Sequence, residues 1–153
     1  MKNFKLVILL FAFFAFVGAV NASGIGYIDY LKVIDNYDYA KKATKEVDAK
    51  GLEMQQYLVD KEKEYKSLDT PLKKQTFEQK TAQEFKAKEQ AYIALKNKRE
   101  QEVYTKIREA AKAVMVEQKL DAIMDQRGVF VGGLDITDMV INKLKGLKWK
   151  WES

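Results

Sequence analysis

Apolar residues recur at steps of mostly three, four or seven along two long charged stretches of this chain. The first series runs Ala40, Ala43, Val47, Met54, Leu58, Tyr65, Leu68, and the second Phe77, Phe85, Tyr92, Leu95, Val103, Ile107, Ala110, Val114. Such spacing places one narrow stripe along each helix, as in a coiled-coil seam. From about Tyr39 to Lys119 the composition is dominated by Ala, Lys, Glu, Gln and Leu, all good helix formers. Glu46/Lys50, Glu62/Lys66, Glu84/Lys88 and Glu102/Lys106 are spaced four apart with the acid first, the orientation that supports an exposed helix. The seam is leaky, because Lys61, Lys88 and Arg99 fall where a strict one would be apolar.

Between the two stripes lies Pro71, the only proline in the chain. Inside a helix a proline costs roughly 3 kcal/mol and pushes the preceding residue out of helical geometry, whereas a first turn accommodates it. Asp69-Thr70-Pro71 therefore ends one helix and starts another. Each stripe needs a partner, and the nearest is the other stripe, so residues 39–119 are expected to form a helical hairpin with its tip near 69–73.

The flanking segments are different in kind. Ile25 to Tyr30 reads as a short strand, with Asp29 placed to cap the helical region that follows. Further on, Leu120–Asp125 and Val129–Val131 look like two strands joined by a turn at Gln126-Arg127-Gly128, with glycine supplying a positive φ. Asp135 is placed to cap a last helix that Gly146 closes. The expectation is an α+β chain whose body is built from residues 23–38 and 120–146, with the hairpin protruding. A body of about fifty residues is too small to bury a sizeable core alone. There is no cysteine to staple it, so oligomerisation is the remaining route.

Residues 1–22 stand apart from this pattern. Lys2 and Lys5 precede an unbroken apolar run that ends in Val20-Asn21-Ala22, the organisation of a cleavable export signal. Removing two lysines takes the formal charge from +5 to +3, and Phe4, Phe11, Phe13, Phe14 and Phe16 leave with the segment. The mature chain is then expected to be polar, exported and free of membrane spans.

Candidate chemistry is sparse. Without His or Cys, imidazole bases, thiol nucleophiles and ordinary zinc sites are excluded. Ser23, Ser67 and Ser153 have no plausible base beside them, and Gly24-Ile25-Gly26 precedes a strand instead of following one. Neither an enzyme nor a cofactor or metal site is expected. What remains is an arm carrying Met54, Leu58, Tyr65, Leu68, Phe77, Phe85 and Tyr92 among lysines that include Lys61, Lys73, Lys74 and Lys88. These side chains either hold the two helices together or bind a client. A basic, weakly sticky arm suits a protein that tolerates many partners and attracts acidic ones. Nucleic acid is not expected as a partner, because export and interleaved acids argue against it. A structural spacer or a one-partner adaptor of the cell envelope is the alternative, but it lacks support from an anchor, a regular heptad core or a concentrated hot spot.

The opening Ile25 to Tyr37 and the closing Ala113 to Lys145, with Asp135-Ile136-Thr137 starting the last helix, resemble the OmpH-like (Skp) family of periplasmic chaperones for outer-membrane proteins. The middle is similar in character, a charged coiled coil of the right length. The resemblance implies a homotrimer whose strands form a small central β-barrel and whose three hairpins enclose a cavity. It implies an ATP-independent holdase that carries unfolded outer-membrane proteins through the periplasm. By the same resemblance Ile25, Tyr27, Ile28, Ile123, Met124, Val129, Phe130 and Val131 build the shared oligomer core. The tail 147–153, holding Trp149 and Trp151, departs from the family pattern. A frayed end, a packed strand and a weak membrane-surface contact are all open for it, and the lysine-rich tip carries no distinctive lipopolysaccharide cluster.

Overall fold

The computed structural model describes residues 24–147; the expected signal segment and the two tryptophans lie outside the described residues. Strand β1 (Gly24–Ile28) leads into a short helix α1 (Tyr30–Asp35), and the two arm helices follow, α2 (Asp38–Lys66) and α3 (Pro71–Glu117). Strand β2 (Leu120–Asp125), a 3₁₀ turn (Gln126–Gly128), strand β3 (Leu134–Asp135) and helix α4 (Thr137–Gly146) complete the chain.

Local chemistry explains most boundaries. The Lys32 amide donates to Asp29 Oδ1 at 3.0 Å, so Asp29 caps α1 as expected. The helical region does not run on from there: the chain breaks at Asn36 and Tyr37 before α2 begins. Ser67 to Thr70 reverse the chain, and Pro71 occupies the first turn of α3 behind the Thr70 cap. With 29 and 47 residues the arms extend roughly 45 and 70 Å at about 1.5 Å per residue. At the start of α4, Asp135 Oδ1 accepts from the Thr137 amide at 2.9 Å and its hydroxyl at 2.5 Å, although Ile136 is the capping position of the backbone.

The strands depart from the expected pattern. Val129–Val131 is not a strand, and Gln126–Gly128 is a 3₁₀ turn with no positive φ at Gly128; the glycines with positive φ are Gly132 (φ 84°) and Gly133 (φ 90°). The β2 segment and its successor do not pair as a hairpin. The sheet order is β2-β1-β3, with both neighbours parallel to β1. A parallel neighbour requires a crossover connection, and between β1 and β2 the entire helical arm serves as one. The result is an open three-stranded sheet in the protomer, not a closed barrel.

Nor is the core confined to the two ends of the chain. Val33 and Tyr37, Ala40 and Ala43 of α2, Val103, Ile107, Ala110 and Val114 of α3, and Ile136, Val140, Ile141 and Leu144 form one buried cluster. The proximal turns of both arm helices therefore supply the apolar surface that fifty residues alone could not.

Candidate functional site: the arm and the exposed sheet

Burial changes abruptly along the arm. In α2 the buried residues are Ala40 and Ala43, and in α3 they begin at Arg99. Everything between, on both helices, is half-buried or exposed. The far arm is thus a pair of helices without a fully buried residue.

The boundary is marked by Arg99, one of the three gaps in the seam. Its guanidinium donates to Glu46 of α2 through Nε (2.7 Å) and Nη2 (3.1 Å), and to Glu102 through Nη1 (2.7 Å). Tyr39 Oη donates to the same Glu102 carboxylate at 3.0 Å. The Arg99 side chain is 4% exposed, against 36% for Glu46 and 20% for Glu102. Burial alone would raise the Glu102 carboxyl, but the hydrogen bonds from Arg99 and Tyr39 outweigh it and hold the carboxyl below its ordinary range. The sequence spacing pairs these two acids with Lys50 and Lys106 along their own helices; in the structure both accept from Arg99, since a buried guanidinium needs both carboxylates. Of the four expected pairs, Glu62–Lys66 forms as a contact along the helix at 2.5 Å.

The other two gaps behave similarly. Lys61 lies over the rings of Tyr57 (5.7 Å) and Phe77 (5.2 Å), and Lys88 over Tyr57 (4.9 Å). Tyr57 donates to Glu84 at 2.7 Å, Lys74 lies over Tyr65 at 5.3 Å, and the Tyr65 and Phe77 rings are 6.1 Å apart. Aromatic faces and ammonium groups thus meet where a coiled coil would use leucines.

Among the candidate client-binding residues, Met54, Lys61, Tyr65, Leu68, Lys74, Phe77, Phe85 and Tyr92 are half-buried between or beside the two helices, while Leu58, Lys73 and Lys88 are exposed. Leu52, Val59, Leu72 and Ile93 are exposed as well, between 46% and 72%. They escaped the stripe because they lie off its spacing. An apolar residue off the seam of an otherwise polar helix is the signal that would have found them.

The candidates for an oligomer core also divide. Ile28 is buried within the protomer and Ile123 packs against it. Tyr27 and Val129 are half-buried. Ile25 (51%), Met124 (43%) and Val131 (85%) are exposed, and Phe130 is completely so. Asp125, whose carboxyl is lowered to about 2 by hydrogen bonds from the Arg127 side chain and amide, fixes the turn that leads to them.

Among the described residues no group of acidic side chains could hold a metal ion, and no helix is long and apolar enough to cross a membrane. No curated protein matches the chain significantly. A crystal structure of a candidate outer membrane chaperone (OmpH-like) from Caulobacter crescentus CB15 is 16% identical and aligns with a TM-score of 0.39, covering 86% of this chain and 91% of that one. The family model for OmpH-like outer membrane proteins matches residues 24–144, which is nearly all of the described chain, and the protein therefore belongs to the OmpH-like family.

Proposed function

We propose that this protein is an ATP-independent, non-enzymatic holdase: it binds unfolded outer-membrane proteins in the periplasm and keeps them from aggregating before insertion. The observation that carries this reading is the far arm, where apolar side chains such as Leu52, Leu58, Leu72 and Ile93 stay exposed beside lysines on helical turns without a fully buried residue. Many weak contacts spread along an adaptable surface fit clients that share no fold. The positive far arm draws acidic chains toward it. The OmpH-like family membership supports the same role.

The protein acts as a homotrimer with its arms around a shared cavity, exported by the segment 1–22. The exposed Ile25, Met124, Phe130 and Val131 and the outer edges of β2 and β3, unpaired among the described residues, support assembly of several copies. Sedimentation velocity tests the reading, with the mature chain alone and with a urea-unfolded outer-membrane barrel diluted into it in ATP-free buffer. A trimer alone and a soluble complex of one client per trimer are expected. Aggregation of the client beside an intact trimer would overturn the holdase.

A further inference from the structure

We infer that the tail 147–153 and the end of α4 that carries it form a docking surface for the anionic headgroup face of a lipid bilayer. The chain around this point is one-sided in charge: after Lys143, Lys145, Lys148 and Lys150 the first acid is Glu152. Lys143 reaches Glu117, and with Lys145 it complements the C-terminal end of the helix. Lys148 and Lys150 lie past Gly146, where the helix ends, so neither role extends to them. They alternate instead with Leu147, Trp149 and Trp151. Indole rings, apolar in body with one polar N–H, partition to the depth of lipid headgroups, and lysines among them are drawn to anionic lipid.

The described surface at the root of the tail has the same character. Leu147 is 39% exposed, and Val116, beside Glu117 at the end of α3, is 68% exposed. Lys119 and Lys145 are exposed and make no ion pair among the described residues. Glu117 is taken up by Lys143, which leaves Asp121 and Glu152 against Lys119, Lys145, Lys148 and Lys150. Exposed aliphatic side chains among surplus cations complement an anionic surface with an apolar layer beneath it. The open grooves of about 860 and 560 Å³ both lie along α3 beside Tyr30 and Tyr104, and no residue of α4 lines either. The two indoles therefore leave the body away from both.

The position of the tail gives the docking a direction. Lys143 meets Glu117, the last residue of α3, whereas Pro71 at the other end of the same 47-residue helix is the arm tip. Helix α4 therefore ends at the pole opposite the tip, roughly 70 Å away at about 1.5 Å per residue. A bilayer held at that pole leaves the arm pointing into the aqueous space. The docking does not depend on the holdase reading, because no residue of the far arm takes part in it.

Trp149 and Trp151 are the only tryptophans in the protein, so their fluorescence reports on this segment alone. With the mature chain, vesicles containing phosphatidylglycerol should shift the emission to the blue, and brominated acyl chains should quench it. Vesicles of phosphatidylcholine should do neither. Lys148→Gln combined with Lys150→Gln should weaken partition into the anionic vesicles by about thirtyfold. Raised salt should weaken it for the wild type too. Trp149→Ser combined with Trp151→Ser should abolish cosedimentation with those vesicles and leave the thermal midpoint unchanged. Emission already blue without lipid, with a midpoint lowered by the serine pair, would mean that the tail packs on the protein and would overturn the inference. So would emission that stays red with both kinds of vesicle, or shifts equally with both. Cosedimentation without a spectral shift would place lipid binding on the basic arm and overturn the role of the tail.

Discussion

The base of the arm and its far half are made from the same two helices and nearly the same composition, yet they are held together by different forces. At the base, small residues on α2 (Ala40, Ala43) let the helices approach, and Val103, Ile107, Ala110 and Val114 fill a core shared with α4. Beyond Arg99 the contacts are rings, ammonium groups and half-exposed aliphatics. Dense apolar burial makes the first region a cooperative unit. The second is stabilised by contacts worth about 0.5–1 kcal/mol each at exposed sites, which can be exchanged for contacts with a client. Stability and binding surface are thereby placed in different parts of one hairpin.

The largest effect should come from a pair of matched truncations. Ile107→Ala empties a site that is 2% exposed and should cost about 2–5 kcal/mol, lowering the thermal midpoint of the whole chain. Leu58→Ala removes a side chain 44% exposed and should cost under about 1 kcal/mol. Equal losses in denaturant unfolding would erase the distinction between the two regions.

Arg99→Ala tests the boundary itself. Losing one partner of a fully buried pair costs about 3–5 kcal/mol. Here Glu46 still reaches water, so a loss of about 2–3 kcal/mol is expected, with hydrogen exchange in the far arm accelerating up to the first buried turn. The dependence on pH has a definite sign. A carboxyl whose folded pKa is depressed stabilises the fold above its unfolded pKa, and that contribution fades as pH falls through the folded value. Glu102 is lowered from an ordinary value of 4.5, so the difference between wild type and Arg99→Ala should be constant from pH 6 to 8 and shrink only below about pH 4.5. A difference that shrinks above pH 6 would show that Glu102 is not the group responsible.

A smaller and opposite change is expected at Tyr37. Its hydroxyl is buried without a hydrogen-bond partner among the described residues, and burial pushes the phenol pKa upward. Tyr37→Phe removes an unpaired polar atom from the base and should stabilise it by up to about 1 kcal/mol. Destabilisation of that size in thermal melts would mean the hydroxyl is satisfied and the base is not as dry as its packing indicates.

What the sequence made legible divides along the same boundary between local and distant causes. Asp29, Thr70 and Pro71 act on residues within a turn of themselves, and the elements they delimit follow from them directly. Arg99 looked like a defect because its partner Glu46 lies 53 residues away and becomes adjacent only when the hairpin closes. Val129–Val131 has the β-branched and aromatic composition of a strand. That composition records a preference for a covered, extended surface, and the two glycines that follow it turn the chain before it can pair. The same distant cause hides the core: by charge the proximal arm turns resemble the rest of the arm, while their alanines and valines pack in the body.

The smallest change sharpens the comparison most directly, because it sits where the two regions meet. Gly51 lies inside α2, without positive φ, and a Cβ there would meet Tyr92 Cε2 of α3 at an ordinary 3.7 Å. Glycine in a helix interior costs roughly 0.5–1 kcal/mol relative to alanine, so Gly51→Ala should recover about that much without a clash. If the far arm opens independently of the base, the gain should appear as slower hydrogen exchange in the turns around residue 51, with the thermal midpoint of the base unmoved. If the chain unfolds as one unit, the midpoint should rise and exchange should slow everywhere by the same factor. The first result would place a soft joint where the buried core ends. The second would make the hairpin a single rigid rod, and a client would then have to fit the arms as they stand.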